Sequence, residues 1–515
     1  MSSELTLGID IGTQGVKGEL VTPAGVVFAR AQVENSCSYP RPDWCEQDMR
    51  KNWWQNPVKV IRSLLQTPGL HAEQIKAVGI SGLFPALGPT DGNGEPLADA
   101  ILYSDNRSLA EVEEINAALD LQITTEELTP KLLWLLRNQP ELAAKMKMFF
   151  DAPHYLVYRL CSAYVTDTIL AGRYGAIYQS PTASWRTQVC ERFAIPVGIL
   201  PQVRTPAQIV GVVHSQAAQE TGLAPGTPVL TGMPDLVASL IGAGAVHTYE
   251  SVAYYGTAGL LPVMKQDLIQ AVGCPFPHEE RGIIPLDGYL FDFPVYSLSV
   301  GDAARWFRDQ FAPLEIALEE QGEANAYSEL HRLAAEIPPG AHGLVMLPYL
   351  QGQRSPVFNP WATGVFFGLR SSHTRPSLFR AILESFGYSI RHGLHSCYPA
   401  GQPLKRIVAT GGGARSPLWR QIVSDITGIS QEYVPDADEA LGNAYLCGIA
   451  LGWFKDFEIL QKEWVKVAAV TEPDLSRQAA YERSYAIYVE LHAALQPIFA
   501  RHHQVQNLPS GAINV

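Results

Sequence analysis

Four short segments of the chain carry functional side chains at a spacing that could do chemistry, three of them beside glycine. The first, Gly8-Ile9-Asp10-Ile11-Gly12-Thr13-Gln14-Gly15-Val16-Lys17, places a carboxylate on an apolar strand, then a glycine turn, then a cation. A turn with little side chain lets backbone N–H groups approach a polyphosphate. Thr13 and Lys17 add donors, Gln14 sits at the tip, and Asp10 suits the hydrated Mg2+ that accompanies such a group. The competing reading makes Asp10 the polar face of an edge strand. The second segment, Thr231-Gly232-Met233-Pro234-Asp235, closes an apolar strand and opens a helical stretch, Leu236–Ile241. Asp235 there is either a helix cap or a general base at the carboxyl end of a strand, where α/β folds put their ligands. The third, Thr410-Gly411-Gly412-Gly413-Ala414-Arg415-Ser416-Pro417, exposes backbone to a flat or anionic ligand between a strand and a helix. The fourth, Ser104-Asp105-Asn106-Arg107, offers an acceptor and donors to the hydroxyls of a small polyol, or is plain solvated loop polarity.

Other chemistries find no support. There is no GxxxxGK[ST], no GxGxxG after a strand, no GxSxG and no HExxH, and the 13 His are scattered. Seven cysteines without a CxxC indicate neither a disulfide framework nor a Cys-rich zinc site. With 38 Lys+Arg against 51 Asp+Glu the formal charge is −13, with no block of like charge, which argues against nucleic acid or an anionic membrane as partner. The N-terminus lacks a basic flank and no apolar run approaches the ~20 residues of a membrane span, so a cytoplasmic protein is expected.

The elements that must position these groups read as α/β layers. Apolar alternation with glycine at each reversal predicts a meander over Leu5–Ile11, Val16–Val21 and Val26–Ala31. Short buried strands follow at Ile75–Ser81, Ala100–Tyr103, Pro228–Thr231 and Arg406–Thr410, interleaved with helices. Ser416 is placed to cap a helix with Pro417 at its first position, a stripe of Leu418, Ile422 and Ile426, and Gly428 at its end. A helix from near Pro376 carries Leu378, Ile382, Phe386 and Ile390 as core. A second hairpin, Ser251–Met264, turns at Gly256-Thr257 about half the chain away from Gly12-Thr13. That recurrence points either to two similarly built domains, 1–247 and 248–515, or to unrelated hairpins. The tail from Gln504 shows no periodicity.

Taken in order, the segments resemble the FGGY carbohydrate kinases of the actin/hexokinase-like superfamily, over nearly the whole chain. The resemblance runs through GIDIGTQGVK, Trp44…Glu46-Gln47-Asp48…Trp53-Trp54, GISG at 79–82, YSDNRS at 103–108, and HYLVYRL with Val165-Thr166-Asp167. It continues through GMPD at 232–235, YGTAG at 255–259, LPYLQGQRSP at 347–356, TGGGARSPLWRQI at 410–422 and ALGNAY at 440–445. It implies two ribonuclease-H-like domains with a catalytic cleft between them, the first binding sugar and the second ATP. It also implies Asp10 and Asp235 at the metal and phosphate site, Asp235 as catalytic base, and Thr13, Gln14 and Lys17 at the first phosphate turn. Gly256 and Thr257 then form the second turn, Gly301 lies against the nucleotide, and Gly411, Gly412 and Gly413 form the adenosine motif.

Within the family the layout is most similar to xylulokinases, which implies transfer of the γ-phosphate of ATP, with Mg2+, to D-xylulose. The usual Gln-Met-His-Gly reads Leu83-Phe84-Pro85-Ala86 here, so Phe84 and Pro85 stand where a histidine is expected, with Asp105, Arg107 and Asp235 on the sugar side. The common Gly-Glu-Arg-Ser-Pro reads Gly352-Gln353-Arg354-Ser355-Pro356, and Met233-Pro234 replaces a pair of glycines. These departures leave ribulose, L-xylulose, erythritol and glycerol open as acceptors. A non-catalytic nucleotide switch is the reading from another class; Asp10, Asp235, Asp105 and Arg107 argue against it. The partners implied are sugar, ATP and at most a second copy of the chain in a homodimer.

Overall fold

Leu5, Leu7, Ile9 and Ile11 alternate along the first strand with Thr6, Gly8 and Asp10, and β1 spans Leu5–Ile11 with every residue buried. A strand covered on both faces cannot afford a polar side, which is why its glycine and its carboxylate stand out. The computed structural model describes residues 4–179, 184–265, 267–272 and 291–506. These fall into two compact units. One comprises the chain up to His247, residues 267–272 and again Ala437–Val465; the other comprises Thr248–Lys265, Phe291–Asp436 and the chain from Lys466 on.

In the first unit β2 (Gly15–Val21) and β3 (Val27–Glu34) complete the expected meander. The remaining strands are β4 (Ile75–Gly82), β5 (Ile209–Val212), β6 (Pro228–Leu230) and β7 (Met233–Pro234). The sheet order is β5-β6-β4-β1-β2-β3, with β7 also pairing β4, and β1, β6 and β7 each run parallel to β4. Register sets the site: Asp10 lies opposite Lys17 on β2 and opposite Ser81 on β4, and Ser81 lies opposite Met233 on β7.

Helix Asn56–Leu65 packs on β2 and β3, while helix Glu439–Ala450 packs on β1, β4 and the helix Asp235–Gly242. A two-part division at residue 248 assigns 437–465 to the second half, yet this segment packs within the first unit. Backbone contact explains the placement. A Cβ on Gly8 would stand 1.8 Å from the Ala440 carbonyl oxygen, one on Gly79 2.5 Å from that of Asn443, and one on Gly442 2.1 Å from that of Ala238.

The second unit repeats the plan. Its strands are β8 (Glu250–Tyr255), β9 (Gly259–Met264), β10 (Phe291–Ser297), β11 (Arg406–Thr410), β12 (Gln431–Tyr433) and β13 (Ala469–Thr471), in the order β10-β9-β8-β11-β12-β13. As in the first sheet, three antiparallel strands lead into two parallel neighbours and an antiparallel edge. The same plan in both units favours two similarly built domains over unrelated hairpins. Ser416 caps helix Pro417–Thr427 by accepting from the Trp419 N–H at 3.2 Å, and Gly428 ends it in the left-handed region. Ile422 and Ile426 are buried there but Leu418 only partly, because the first turn lies near the surface. In helix Arg375–Cys397, Ile382, Phe386 and Ile390 are buried and Leu378 only partly.

Two expectations are corrected. The strand at Ala100 ends at Ile101, because the Asp105 N–H turns back onto the Leu102 carbonyl. Helix Gln478–Gln506 takes in the start of the expected loose tail; residues 507–515, like Cys274, lie outside the described residues. No disulfide joins the described cysteines, and no helix among the described residues is long and apolar enough to cross a membrane.

Candidate active site

The carboxyl ends of β1, β4 and β7 bring Asp10, Ser81 and Asp235 to one edge of the first sheet. Asp10 is 5% exposed and accepts from the Ser81 hydroxyl at 2.6 Å. Burial raises its proton affinity well above the ordinary carboxylate range, and the charges of Glu439 and Asp235 add to that. This burial overturns the edge-strand alternative. Asp235 opens helix Asp235–Gly242, and its Oδ1 accepts from the N–H of Leu236 at 2.6 Å. Burial pushes Asp235 up to about 7, Glu439 pushes the same way, and the Leu236 N–H and Lys17 oppose them.

The Gly12–Gly15 turn is braced from outside. The Gly12 N–H donates to the Gly15 carbonyl at 2.8 Å, Asn35 Nδ2 to the Gly12 carbonyl at 2.8 Å, and Gln47 Nε2 to the Thr13 carbonyl at 2.9 Å. Gln14 is exposed at the tip. Lys17 is expected as a phosphate donor; in the structure Nζ donates to Glu439 Oε2 at 3.0 Å and Asp438 Oδ2 at 3.2 Å. Burial works to lower its proton affinity, but Glu439, Asp438 and Asp10 outweigh burial and raise it.

The sequence gives no direct sign that the acids before ALGNAY meet Lys17, since the pairing spans most of the chain. A signal for the helix start was present: Asp438 is an N-cap, accepting from the Ala440 N–H at 2.7 Å, and Glu439 follows in the first turn. Asn443, one turn on, donates from Nδ2 to the Ser81 hydroxyl at 2.7 Å and to the Ile9 carbonyl at 2.9 Å, tying the helix to the acidic edge.

Asp105 and Arg107 do not form a solvated loop. Asp105 is fully enclosed and accepts four bonds: from the Cys45 N–H at 2.6 Å and from the Arg107 N–H, Nε and Nη2 at 2.7–3.0 Å. Arg107 also donates to Glu46 at 2.7 Å and stacks 3.6 Å from the Trp44 ring and 5.0 Å from Trp134. Asp105 therefore holds Arg107 and the Cys45 backbone in place, with no oxygen left over for a polyol. Trp44, Trp134 and Tyr103, whose hydroxyl is held by burial above its ordinary proton affinity, are further residues here that sequence reasoning did not single out as site residues. Phe84 is partly buried and Pro85 buried in the loop after β4.

In the second unit three predicted glycines converge. A Cβ on Gly301 would stand 2.4 Å from the Gly256 carbonyl oxygen, and one on Gly411, at φ +91°, would stand 3.0 Å from the Tyr255 carbonyl carbon. The first N–H groups of helix Val300–Phe311 donate to the turn: Gly301 to the Gly256 carbonyl at 2.9 Å, Val300 and Asp302 to that of Thr257 at 3.1 and 3.2 Å. Gly413 is also explained by packing, since its Cβ would meet the Trp419 ring at 2.5 Å. Gly412 alone of the three has open space around it, and it is exposed, as is Thr257.

The acidic edge suits a hard divalent cation. Asp10 and Asp235, both with raised proton affinity, are relieved by a positive charge, and both offer oxygen. Among the described residues no group of three or more His, Cys, Asp or Glu is placed to hold a metal ion. Magnesium shared between one or two carboxylates and phosphate oxygens fits that count.

Family models divide the chain in two along the sequence. The N-terminal domain of the FGGY family of carbohydrate kinases matches residues 5–242 and its C-terminal domain residues 296–451. The sequence is similar to the xylulose kinase of Staphylococcus epidermidis, 28% identical over 510 residues that cover 97% of this chain and 99% of the relative. It is similar to the gluconokinase of Bacillus licheniformis at 28% over 510 residues, covering 95% and 96%. The fold is similar to the crystal structure of xylulose kinase from Rhodospirillum rubrum, with a TM-score of 0.81, 28% identity, and coverage of 96% of this chain and 100% of that one.

Proposed function

The chain belongs to the FGGY family of carbohydrate kinases, and from that premise we propose that it transfers the γ-phosphate of ATP to a terminal hydroxyl of a ketose, D-xylulose first among them. The carrying observation is Asp235. One oxygen is fixed by the Leu236 N–H, the other has no hydrogen bond among the described residues, and its proton affinity sits near neutrality. A base for a sugar hydroxyl needs that combination of orientation and proton affinity. In phosphoryl transfer the protein mainly positions reactants and stabilises charge, so one base with phosphate donors is a sufficient protein set.

Asp10 and Asp235 would hold Mg2+, which when bound neutralises phosphate charge. Lys17 and the backbone N–H groups of Thr13 and Gln14 supply donors to phosphate in the first unit. The Gly256–Thr257 turn with Gly301 and Gly411 offers the nucleotide a close-packed backbone surface, and Gly412 is the open position on it. Similarity to xylulose kinases over nearly the full chain supports the choice of sugar. Phe84 and Pro85 are the side chains this chain presents in the loop expected on the sugar side.

Coupled ADP release across D-xylulose, D-ribulose, L-xylulose, gluconate, erythritol and glycerol tests the assignment. D-xylulose should give the highest kcat/KM, by about tenfold or more, because a mismatched hydroxyl leaves a buried polar group unpaired. A higher value with gluconate or a polyol would replace the ketose.

A further inference from the structure

Asp151 and Asp167 each precede a helix of the first unit, and the two behave differently. Asp167 precedes Thr168–Gly172 and caps it in the ordinary way, its Oδ1 accepting from the N–H groups of Ile169 and Leu170 at 2.7 and 2.9 Å. Asp151 precedes Ala152–Cys161 with the same extended backbone, φ −86° and ψ 166°, yet makes no capping bond to its own helix. Its Oδ1 accepts instead from the backbone N–H of Ala86, at 2.6 Å. Asp151 is 1% exposed, and its Oδ2 has no hydrogen-bond partner among the described residues. A carboxyl group turned away from a ready set of helix amides and buried with one oxygen unsatisfied is costly, and such a group calls for an explanation.

The loop it holds supplies that explanation. Leu83 is tied to β1 through its N–H and the Ile11 carbonyl at 2.9 Å, and Leu87 exchanges backbone bonds with Ile101 at 2.9 and 3.0 Å. Between those anchors Pro85 has no N–H, so the Ala86 bond to Asp151 fixes the stretch that carries Phe84 and Pro85. The helix is itself seated at the catalytic edge: Pro153 lies where a Cβ on Gly82, at the end of β4, or on Gly232, just before β7, would meet it at 3.0 or 3.6 Å.

We propose that Asp151 is a positioning residue for the sugar: by holding the Ala86 N–H it sets where Phe84 and Pro85 stand, and so governs acceptor affinity and choice. This rests on the reading that the Phe84–Pro85 loop faces the sugar. The test compares wild type with Asp151→Ala, Asp151→Val and Asp151→Asn, using the acceptor that wild type phosphorylates best. Valine removes the hydrogen-bond acceptor while filling the hole, which keeps the test alive where the alanine variant does not fold. Asparagine keeps an oxygen for Ala86.

Loss of one buried hydrogen bond should raise sugar KM by about tenfold, leave KM for ATP within about twofold, and change the ranking of acceptors. Asn should restore the wild-type sugar KM. Hydrogen exchange of the Ala86 amide, read without substrate, should speed up in the Ala or Val variant. Unchanged exchange and unchanged sugar KM in a folded variant would overturn the proposal. Faster exchange with unchanged sugar KM would also overturn it, and would locate the error in the reading of the loop as sugar-facing.

Discussion

The two glycine-threonine turns occupy the same place in two sheets of the same plan, yet one is surrounded by charge and the other by glycine. At Gly12–Gly15 the neighbours are Asp10, Lys17, Asp235, Asp438 and Glu439, and the proton affinities of Asp10, Lys17 and Asp235 are raised. At Gly256–Thr257 the neighbours are Gly301 and Gly411, both of which meet it backbone to backbone, and the Tyr254 ring. The same hairpin is thus put to two uses, an electrostatic one in the first unit and a steric one in the second. Variants that remove charge should act on chemistry, and variants that add a Cβ should act on nucleotide affinity and fold.

The largest effect is expected at Asp235. Asp235→Asn should lower kcat by about a thousandfold, the usual worth of a general base. The same variant should be more stable at pH 8. An aspartate in the unfolded chain releases its proton near about 4, whereas Asp235 in the fold does so near 7. Between those values the folded chain holds a proton that the unfolded chain has lost, so this contribution favours folding in acid and is lost as pH climbs through 7. Asparagine never ionises and keeps it. Melting curves should show a higher Tm for the variant at pH 8 and a gap that closes by pH 4; a lower Tm at pH 8 would contradict the burial argument.

The steric half is tested at Gly301. Gly301→Ala drives a methyl onto the Gly256 carbonyl, where only backbone can yield, and overpacking of that kind costs about 1–3 kcal/mol. KM for ATP should rise about tenfold and Tm should fall, with sugar KM unchanged. Gly412→Ala, made where no protein atom stands within 4 Å, is the stability control and should leave Tm unchanged. Equal effects of the two substitutions would remove the steric reading.

What could be read from the sequence divides along the same line. Local signals survived: β1 spans Leu5–Ile11 as expected, and Ser416, Pro417 and Gly428 bound their helix. Asp10 and Asp235 arrive at one sheet edge because strand ends converge there, which alternation and glycine could announce. The three glycines at 411–413 were legible as a signal but not in meaning, since two of them answer to Tyr255 and Trp419. Asp105 looked like a loop acceptor because its four donors come from Cys45 and from Arg107 folded back over it. Glu439 was invisible for a stronger reason: its partner is more than 400 residues away, and no periodicity spans that distance.

Glu439 provides the smallest and most discriminating test. Its charge is the second cause, after burial, of the raised proton affinity of both Asp10 and Asp235. Glu439→Gln removes that charge and leaves Lys17 paired with Asp438 alone; the Lys17 ammonium, which already opposes the rise at Asp235, stays in place. Asp235 must be deprotonated to accept a proton from the sugar, and the acid limb of kcat/KM follows it. The variant's limb should therefore move to lower pH, by on the order of half a unit to one unit for a single partly screened charge. Below the wild-type midpoint its relative rate should exceed wild type by a few-fold, while above pH 8 the two converge. Gly301→Ala must leave the limb where it is, because no charge near Asp235 changes. A limb that shifts with the glycine variant and stays fixed with Glu439→Gln would reverse the division of labour between the two turns.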